Sequence, residues 1–114
     1  GLELAKLAAE DGAALLLVAD RDLGDAKRVA QQCGATEVET LEVDLATVDG
    51  IDRVIEKIGS RAVDGLMANA GHGLGEAFLT QKWDEIAHVI DTNITGTVAL
   101  IHRIGGGMVL RDNI

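Results

Sequence analysis

Hydrophobic and polar positions switch along the chain between a helical spacing and the unbroken apolar runs of buried strands. Residues 2–10 combine leucine and alanine with charged, helix-favouring residues, which predicts a helix with Gly12 just past its end. Residues 13–19 are apolar without interruption, a pattern typical of a strand that is buried on both faces in a parallel sheet. The first two predicted elements are therefore a helix and a buried strand.

The same alternation predicts two further helices and two further strands: helices over 23–33 and 48–58, and strands over 38–43 and 62–68. Thr47 or Asp49 is placed to cap the second of these helices. Strands joined by amphipathic helices imply parallel crossover connections. The predicted fold class is α/β, a three-layer, doubly wound parallel sheet that forms one partial domain over residues 1–114 and is truncated at both ends.

A glycine-rich turn over 69–75 is predicted after the third strand. A long helix is predicted from about Thr80 to Ile104, and the glycines at 105–107 are expected to end it. Its apolar side chains recur on one side of the helix, which places Trp83 in the core rather than at a ligand site.

Poor helix formers crowd into residues 91–97 of this long helix. A sequence that breaks its own pattern often does so at a functional site. Asn93 is therefore expected to hold a water or to open the helix locally. The alternative is a polar residue near the helix surface with some strain around it.

Charge and composition narrow the choice of partners. The net charge of -9 repels phosphate backbones and anionic lipids, so neither nucleic acid nor a membrane is expected as a partner. Cys33 is the only cysteine, which favours a reducing, cytoplasmic setting and a small buried apolar side chain rather than a nucleophile. The three histidines lack metal-ligand spacing, so no metal is expected.

Ligands of open parallel sheets bind outside the carboxyl ends of the strands. Three polar features follow the predicted strands and are expected along one edge: Asp20, Asp44 and Asn69-Ala70-Gly71. Asp20 lies 19 residues after Gly1, close to the spacing at which a carboxylate binds the ribose of a dinucleotide. The carboxylate repels a 2′-phosphate and so favours NAD over NADP, whereas the neighbouring Arg21 could bind that phosphate. The alternative is that Asp20 only begins a turn.

Three short motifs together resemble the short-chain dehydrogenase/reductase family: Asn69-Ala70-Gly71 after a buried strand, Val43-Asp44-Leu45 after the strand before it, and Asp91-Thr92-Asn93 in the long helix. Residues 1–5 are similar to the last glycine of that family's Thr-Gly-x-x-x-Gly-x-Gly loop and the helix after it. The resemblance covers nearly the whole chain. It implies a Rossmann-type fold and hydride transfer between NAD or NADP and a small alcohol or carbonyl substrate. It also implies a possible homo-oligomer, paired through the long helix.

The resemblance implies a role for each matching residue. Asn93 would be the catalytic asparagine, which positions a catalytic lysine through a water. The other residues would contact the cofactor: Gly1 at the pyrophosphate, Asp20 at the adenosine ribose, Asp44 and Leu45 at the adenine, and Asn69, Ala70 and Gly71 along the cleft.

Several parts of the family pattern are missing from these residues. The chain has no tyrosine, and its only serine, Ser60, matches no family motif, so the family's serine and Tyr-x-x-x-Lys have no counterpart. The central strand of the family's sheet, expected between 13–19 and 62–68, is missing as well. The 114 residues alone are therefore expected to be inactive. Two alternatives stay open: a non-catalytic nucleotide-binding or assembly module of the same fold, and a phosphate-receiver domain, which leaves the glycine-rich turn unexplained.

Overall fold

In the computed structural model, which describes residues 1–111, the chain divides after Asp44 into two units. The first unit contains two helices and two strands: α1 (Leu2–Glu10), β1 (Leu15–Asp20), α2 (Leu23–Gln31) and β2 (Glu37–Glu42). β1 and β2 pair in parallel, with Leu15 opposite Glu37 and Asp20 opposite Glu42. The α/β class with parallel strands is thereby confirmed.

Local signals explain where the elements of the first unit begin and end. Gly12 has φ +90°, which an L side chain rarely adopts, and its N–H donates to the Ala9 carbonyl at 3.1 Å. The Ala13 N–H donates to the Ala8 carbonyl, also at 3.1 Å, so α1 ends in the double hydrogen bond of a Schellman motif. At the start of α2, the Asp22 carboxylate accepts the Asp25 N–H at 3.0 Å and caps the helix.

Packing in the first unit differs from the prediction at β1 and at the end of α2. β1 was expected to be buried on both faces, yet all of its residues are only half-buried. Within residues 1–111 it pairs along one edge only, with β2, so less of it is covered. α2 ends at Gln31, before the predicted residue 33, and Cys33 lies beyond it with 3% exposure. The expectation that Cys33 is a small buried apolar residue is confirmed.

The regular elements in the described part of the second unit are all helical. It contains α3 (Val48–Ile58), a short 3₁₀ helix (Phe78–Thr80), α4 (Trp83–Ile90), a π-helical segment (Asp91–Gly96) and α5 (Thr97–Leu110). Thr47, one of the two predicted caps, begins α3 by accepting the Gly50 N–H at 2.9 Å. Gly59, with φ +60°, ends it.

The core of the second unit forms where α3 and α5 pack together. α3 buries Ile51 and Val54, and α5 buries Leu100 and Ile104. An ion pair between Arg103 of α5 and Asp52 of α3 joins the two helices at the surface. Such an exposed pair adds little to stability, so the apolar contacts hold the helices together.

The third predicted strand, over 62–68, is wrong: these residues lie outside any helix or strand. A strand is stable only when a neighbour satisfies its backbone groups, and the second unit has no strand among its described residues to provide this. The Val63 carbonyl instead accepts a hydrogen bond from the Arg111 guanidinium at 3.0 Å. The apolar composition of residues 62–68 indicates that the segment is hydrophobic. It does not indicate whether a neighbouring strand is available to pair with it.

The long helix differs from its prediction at both ends. It does not end at the glycines 105–107, because α5 continues through them to Leu110. Glycine lowers helix stability without forbidding the conformation, and the preceding turns of α5 are anchored by Leu100 and Ile104. The placement of Trp83 in the core is also wrong, since this first residue of α4 is 72% exposed.

The expected irregularity within the long helix is confirmed as the π-helical segment. Hydroxyl groups take part in its hydrogen bonding: Thr92 Oγ1 donates to the His88 carbonyl at 2.9 Å, and Thr97 Oγ1 donates to the Thr92 carbonyl at 3.2 Å. Gly96, at the end of the segment, lies so close to the Leu45 carbonyl that a Cβ there would overlap it. The close approach therefore requires glycine at position 96.

Replacing Gly96 with alanine is expected to lower the free energy of unfolding by about 2 kcal/mol, because the added methyl group meets the Leu45 carbonyl. Gly106→Ala is the matched control, since a Cβ at that position in α5 meets open space. There the substitution is expected to raise the free energy of unfolding by about 0.5–1 kcal/mol. Urea denaturation followed by circular dichroism measures both variants. Equal effects of the two alanines would contradict the requirement for glycine at 96.

Candidate functional site

In the first unit, the carboxyl ends of the two parallel strands lie side by side. Asp20 ends β1 opposite Glu42, and its backbone carbonyl accepts the Val43 N–H at 3.0 Å. Asp44, half-buried, follows one residue later. Asp20 and Asp44 therefore lie at the same edge of this sheet, as the parallel arrangement requires.

The carboxylate of Asp20 takes part in the turn that leads into α2. Its Oδ1 accepts the Asp22 N–H at 2.9 Å, and Asp22 in turn caps α2. Asp20 therefore does begin a turn, as the alternative interpretation of this residue expected. This bond uses one carboxylate oxygen and holds the group at the strand end, next to the exposed Arg21.

Gly1 is the N-cap residue of α1, and its carbonyl accepts the Ala5 N–H at 3.0 Å. Within residues 1–111, no side chain caps this helix. Backbone N–H groups at a helix N-terminus attract anions, because the helix dipole is positive there. The start of α1 thus has the chemical character that a pyrophosphate contact needs.

In the second unit, Asn93 binds the backbone of the loop that follows Asn69-Ala70-Gly71. Its side-chain oxygen accepts the His72 N–H at 2.9 Å, and its Nδ2 donates to the His72 carbonyl at 2.8 Å. The side chain thus uses its acceptor and one donor on a single loop residue. A Cβ on Gly71 would lie 3.2 Å from the Asn93 oxygen, which favours glycine at that position.

The remaining predicted residues of the second unit have different environments. Asn69 and Ala70 are exposed in the loop, and Asn93 is itself exposed although its side chain is engaged. Leu45 is buried, with its carbonyl against Gly96. The structure therefore brings Asn93 together with the loop after Gly71, through backbone bonds that each contribute about 1 kcal/mol.

A contact between two histidines was not predicted from the sequence. His72 Nε2 and His88 Nδ1 are 2.9 Å apart, and the ring centroids are separated by 5.0 Å. The two residues are 16 positions apart, one in the loop and one on α4. No local pattern predicts such a contact, because it depends on how the loop folds back onto the helix.

Two other kinds of site are absent from residues 1–111. No group of three or more His, Cys, Asp and Glu side chains is arranged to hold a metal ion there. In the same residues, no helix has both the length and the apolar character that a membrane-spanning segment needs. The strand edge of the first unit and the loop–helix contact of the second are the features that carry candidate chemistry.

A family model, a curated relative and solved structures are similar to this chain. The family model for short chain dehydrogenase matches residues 1–113. A 3-dehydrosphinganine reductase from Arabidopsis thaliana is 32% identical over 114 residues, which cover 98% of this chain and 34% of that protein. A solved short chain dehydrogenase/reductase family protein is 29% identical, with a TM-score of 0.83 over 97% of this chain and 46% of its own.

A second solved structure, the L-sorbose reductase from Gluconobacter frateurii complexed with NADPH and L-sorbose, shares the fold. It is 24% identical, with a TM-score of 0.81 over 97% of this chain and 44% of that one. The chain thus spans about a third of the length of the plant reductase and a little under half of the solved structures.

Replacing Asn93 with alanine is expected to lower the free energy of unfolding of the second unit by about 1–2 kcal/mol, because both bonds to His72 are lost. Asn93→Asp is the matched variant: it keeps the acceptor for the His72 N–H and loses the donor, so roughly half of the loss is expected. Chemical denaturation combined with amide hydrogen exchange at His72 measures both effects. An alanine variant with unchanged exchange at His72 would contradict the role of the side chain.

Proposed function

Because the chain belongs to the short-chain dehydrogenase family, we propose that the protein is an oxidoreductase that transfers hydride between NAD or NADP and a small alcohol or carbonyl substrate. The observation that carries the proposal is the pair of hydrogen bonds between the Asn93 side chain and His72, directly after Asn69-Ala70-Gly71. These bonds connect the family motif that ends at Asn93 with the residue directly after the other motif, 21 positions earlier. The Arabidopsis thaliana relative is named as a reductase, which supports the substrate class.

The residues of the first unit fit the adenosine half of a dinucleotide. Gly1 leaves the first N–H groups of α1 without a side-chain cap, as contact with a pyrophosphate requires. Asp20 offers a carboxylate at a strand end for the ribose hydroxyls, with Arg21 beside it, and Asp44 offers one for the adenine amino group. The Asp20 carboxylate favours NAD over NADP in this proposal.

The residues of the second unit are assigned by their motifs. Asn69, Ala70 and Gly71 are proposed to line the cofactor cleft, with Leu45 as a further contact of the adenine. The absence of a side chain at Gly71 lets backbone approach a ligand closely. The bound nicotinamide would supply the hydride acceptor or donor. Asn93 is proposed to hold the loop with its side chain and to position the catalytic lysine through a water.

The proton donor of the reaction is proposed to lie outside these 114 residues. The family's Tyr-x-x-x-Lys has no counterpart in a chain without tyrosine, and Ser60 lies just beyond α3, away from the family's serine position. In this proposal these 114 residues bind and orient the cofactor, and the chain alone is inactive. The lone Cys33 supports a reducing, cytoplasmic setting.

Sequencing the DNA on both sides of the coding region tests the proposal. A Tyr-x-x-x-Lys motif downstream and a glycine-rich loop upstream are the expected result. A stop codon directly after Ile114 would favour the second candidate function, a non-catalytic nucleotide-binding or assembly module, which the missing tyrosine supports. Calorimetric titration of such a chain with NAD would then separate a binding module from a purely structural one.

Self-association with a second copy of the chain is proposed through the long helix. Ile94, Val98 and Ile101 are each more than half exposed on this helix, and Ile94 and Val98 line a shallow groove with Ala99 and His102. Apolar side chains grouped in this way are costly to leave in water. A second copy is the occupant that family resemblance supports.

Asp20→Asn is expected to reduce the preference for NAD over NADP by about tenfold, because removing the negative charge removes its repulsion of the 2′-phosphate. Asp11→Asn is the matched control, since Asp11 precedes β1 and lies at the opposite end of that strand. Isothermal titration with each cofactor gives the two dissociation constants. An unchanged ratio of the NAD and NADP dissociation constants in Asp20→Asn would contradict a role of Asp20 in cofactor preference. Only its role in the turn would then remain.

A Val98→Lys, Ile101→Lys double variant is expected to shift the protein from dimer to monomer by at least tenfold in dissociation constant, since two charges would be buried in the proposed contact. Leu79→Lys is the control, because Leu79 is 93% exposed in the 3₁₀ helix and lies outside the proposed face. Sedimentation equilibrium measures the association. A wild-type protein that stays monomeric at high concentration would contradict self-association.

A further inference from the structure

Three hydrogen bonds converge on His72. Its N–H and carbonyl are bound by the Asn93 side chain, and its ring nitrogen Nε2 lies 2.9 Å from His88 Nδ1. The residues on either side, Gly71 and Gly73, have no side chain with which to hold the loop. The position of this glycine loop (residues 71–73) therefore depends on the contacts of His72.

The two histidines and Asn93 form a closed circuit of contacts. His88 lies on α4, five residues before Asn93 in the sequence, so the helix backbone joins them rigidly. The His88 carbonyl accepts the Thr92 hydroxyl at 2.9 Å, and Thr92 is 6% exposed, which anchors this turn in the interior of the unit. The circuit runs from His72 through the rings to His88, along the helix to Asn93, and back to the His72 backbone. A loop residue held at both its ring and its backbone has little freedom to shift.

We propose that His72 and His88 are positioning residues that clamp the glycine loop to α4 and so hold Asn93 in register with that loop, and that the clamp opens when both imidazoles are protonated. The contacts themselves stand without the proposed function. The consequence for catalysis rests on the proposed function, in which Gly71 lines the cofactor cleft and Asn93 positions the catalytic lysine.

The dependence on protonation follows from the chemistry of the contact. A hydrogen bond between two imidazoles needs one N–H donor and one nitrogen lone pair. A neutral or singly protonated pair meets this condition, and single protonation strengthens the bond. When both rings are protonated, two N–H groups with like charge face each other at 2.9 Å, and the bond is replaced by repulsion.

The segments that carry the two histidines also carry charged side chains. The carboxylates nearest along the chain are Asp84 and Glu85 on α4, Asp91 in the π-helical segment, and Glu76 in the loop, and the nearest cation is Lys82. The clamp is proposed to fail when both rings carry a proton, because neither then offers the other a nitrogen lone pair.

Hydrogen exchange at the His72 amide, measured by nuclear magnetic resonance on the 114-residue chain, tests the clamp. In the wild type, protection corrected for intrinsic rates is expected to be about threefold to tenfold higher at about pH 8 than at about pH 5. His88→Ala is expected to show the lower protection at both pH values. His88→Asn keeps a neutral hydrogen-bonding atom near the Nδ1 position, so it is expected to retain most of the protection at both.

Two controls separate the clamp from general effects. His102→Asn removes the third histidine, exposed on α5, and is expected to behave as the wild type. Exchange at the buried Ile104 reports on the whole unit and is expected to change little between the two pH values. A scalar coupling between the labelled ring nitrogens of His72 and His88, present at pH 8 and lost at pH 5, is the direct signature and requires no variant.

Unchanged protection in His88→Ala, or an equal loss at low pH in His88→Asn and in the wild type, would overturn the clamp. Cofactor titration of the same samples is a separate readout. A clamp that responds as expected in a chain that binds neither NAD nor NADP would leave the clamp standing and remove the assignment of a cofactor site to these 114 residues on their own. Cofactor binding without any response at His72 would overturn the clamp and leave the proposed function standing.

Discussion

The close approach of Gly96 to the Leu45 carbonyl is the constraint on which the second unit depends. It leaves no room for a Cβ at the end of the π-helical segment. The widened turn just before this point contains Asn93, whose side chain reaches the His72 backbone. A residue larger than glycine at 96 would push the segment away from Leu45 and move Asn93 with it. Packing at one glycine thus sets the geometry of a polar contact three residues earlier.

The loop after Gly71 shows how a glycine-rich segment is held in place. Glycine allows backbone to approach a ligand, but it gives the loop no side chains with which to anchor itself. The second unit supplies the anchors from the neighbouring helical stretch, through the amide of Asn93 and the imidazole of His88. Both lie within one and a half turns of helix, so a single rigid element positions the loop. The loop thus combines exposed glycines with fixed contacts to the helix.

Much of the architecture was predictable because it follows from local rules. The bounds of α1, the Thr47 cap of α3 and the parallel pairing of β1 with β2 agree with periodicity, capping and crossover arguments. The irregular turn around Asn93 was signalled by a run of poor helix formers. The errors share a different origin: the strand expected over 62–68 and the burial of Trp83 each required a partner surface that composition does not reveal.

The sequence by itself determined the class of fold, the order of the elements from α1 to α3, the carboxylates at the strand ends and the family motifs, because these depend on spacing along the chain. Tertiary structure alone decided that Asn93 binds the His72 backbone and that His72 meets His88. Those contacts join positions 16 and 21 residues apart across an irregular loop. The path of such a loop follows from the packing of the elements around it, and no periodic pattern in its own residues encodes that packing.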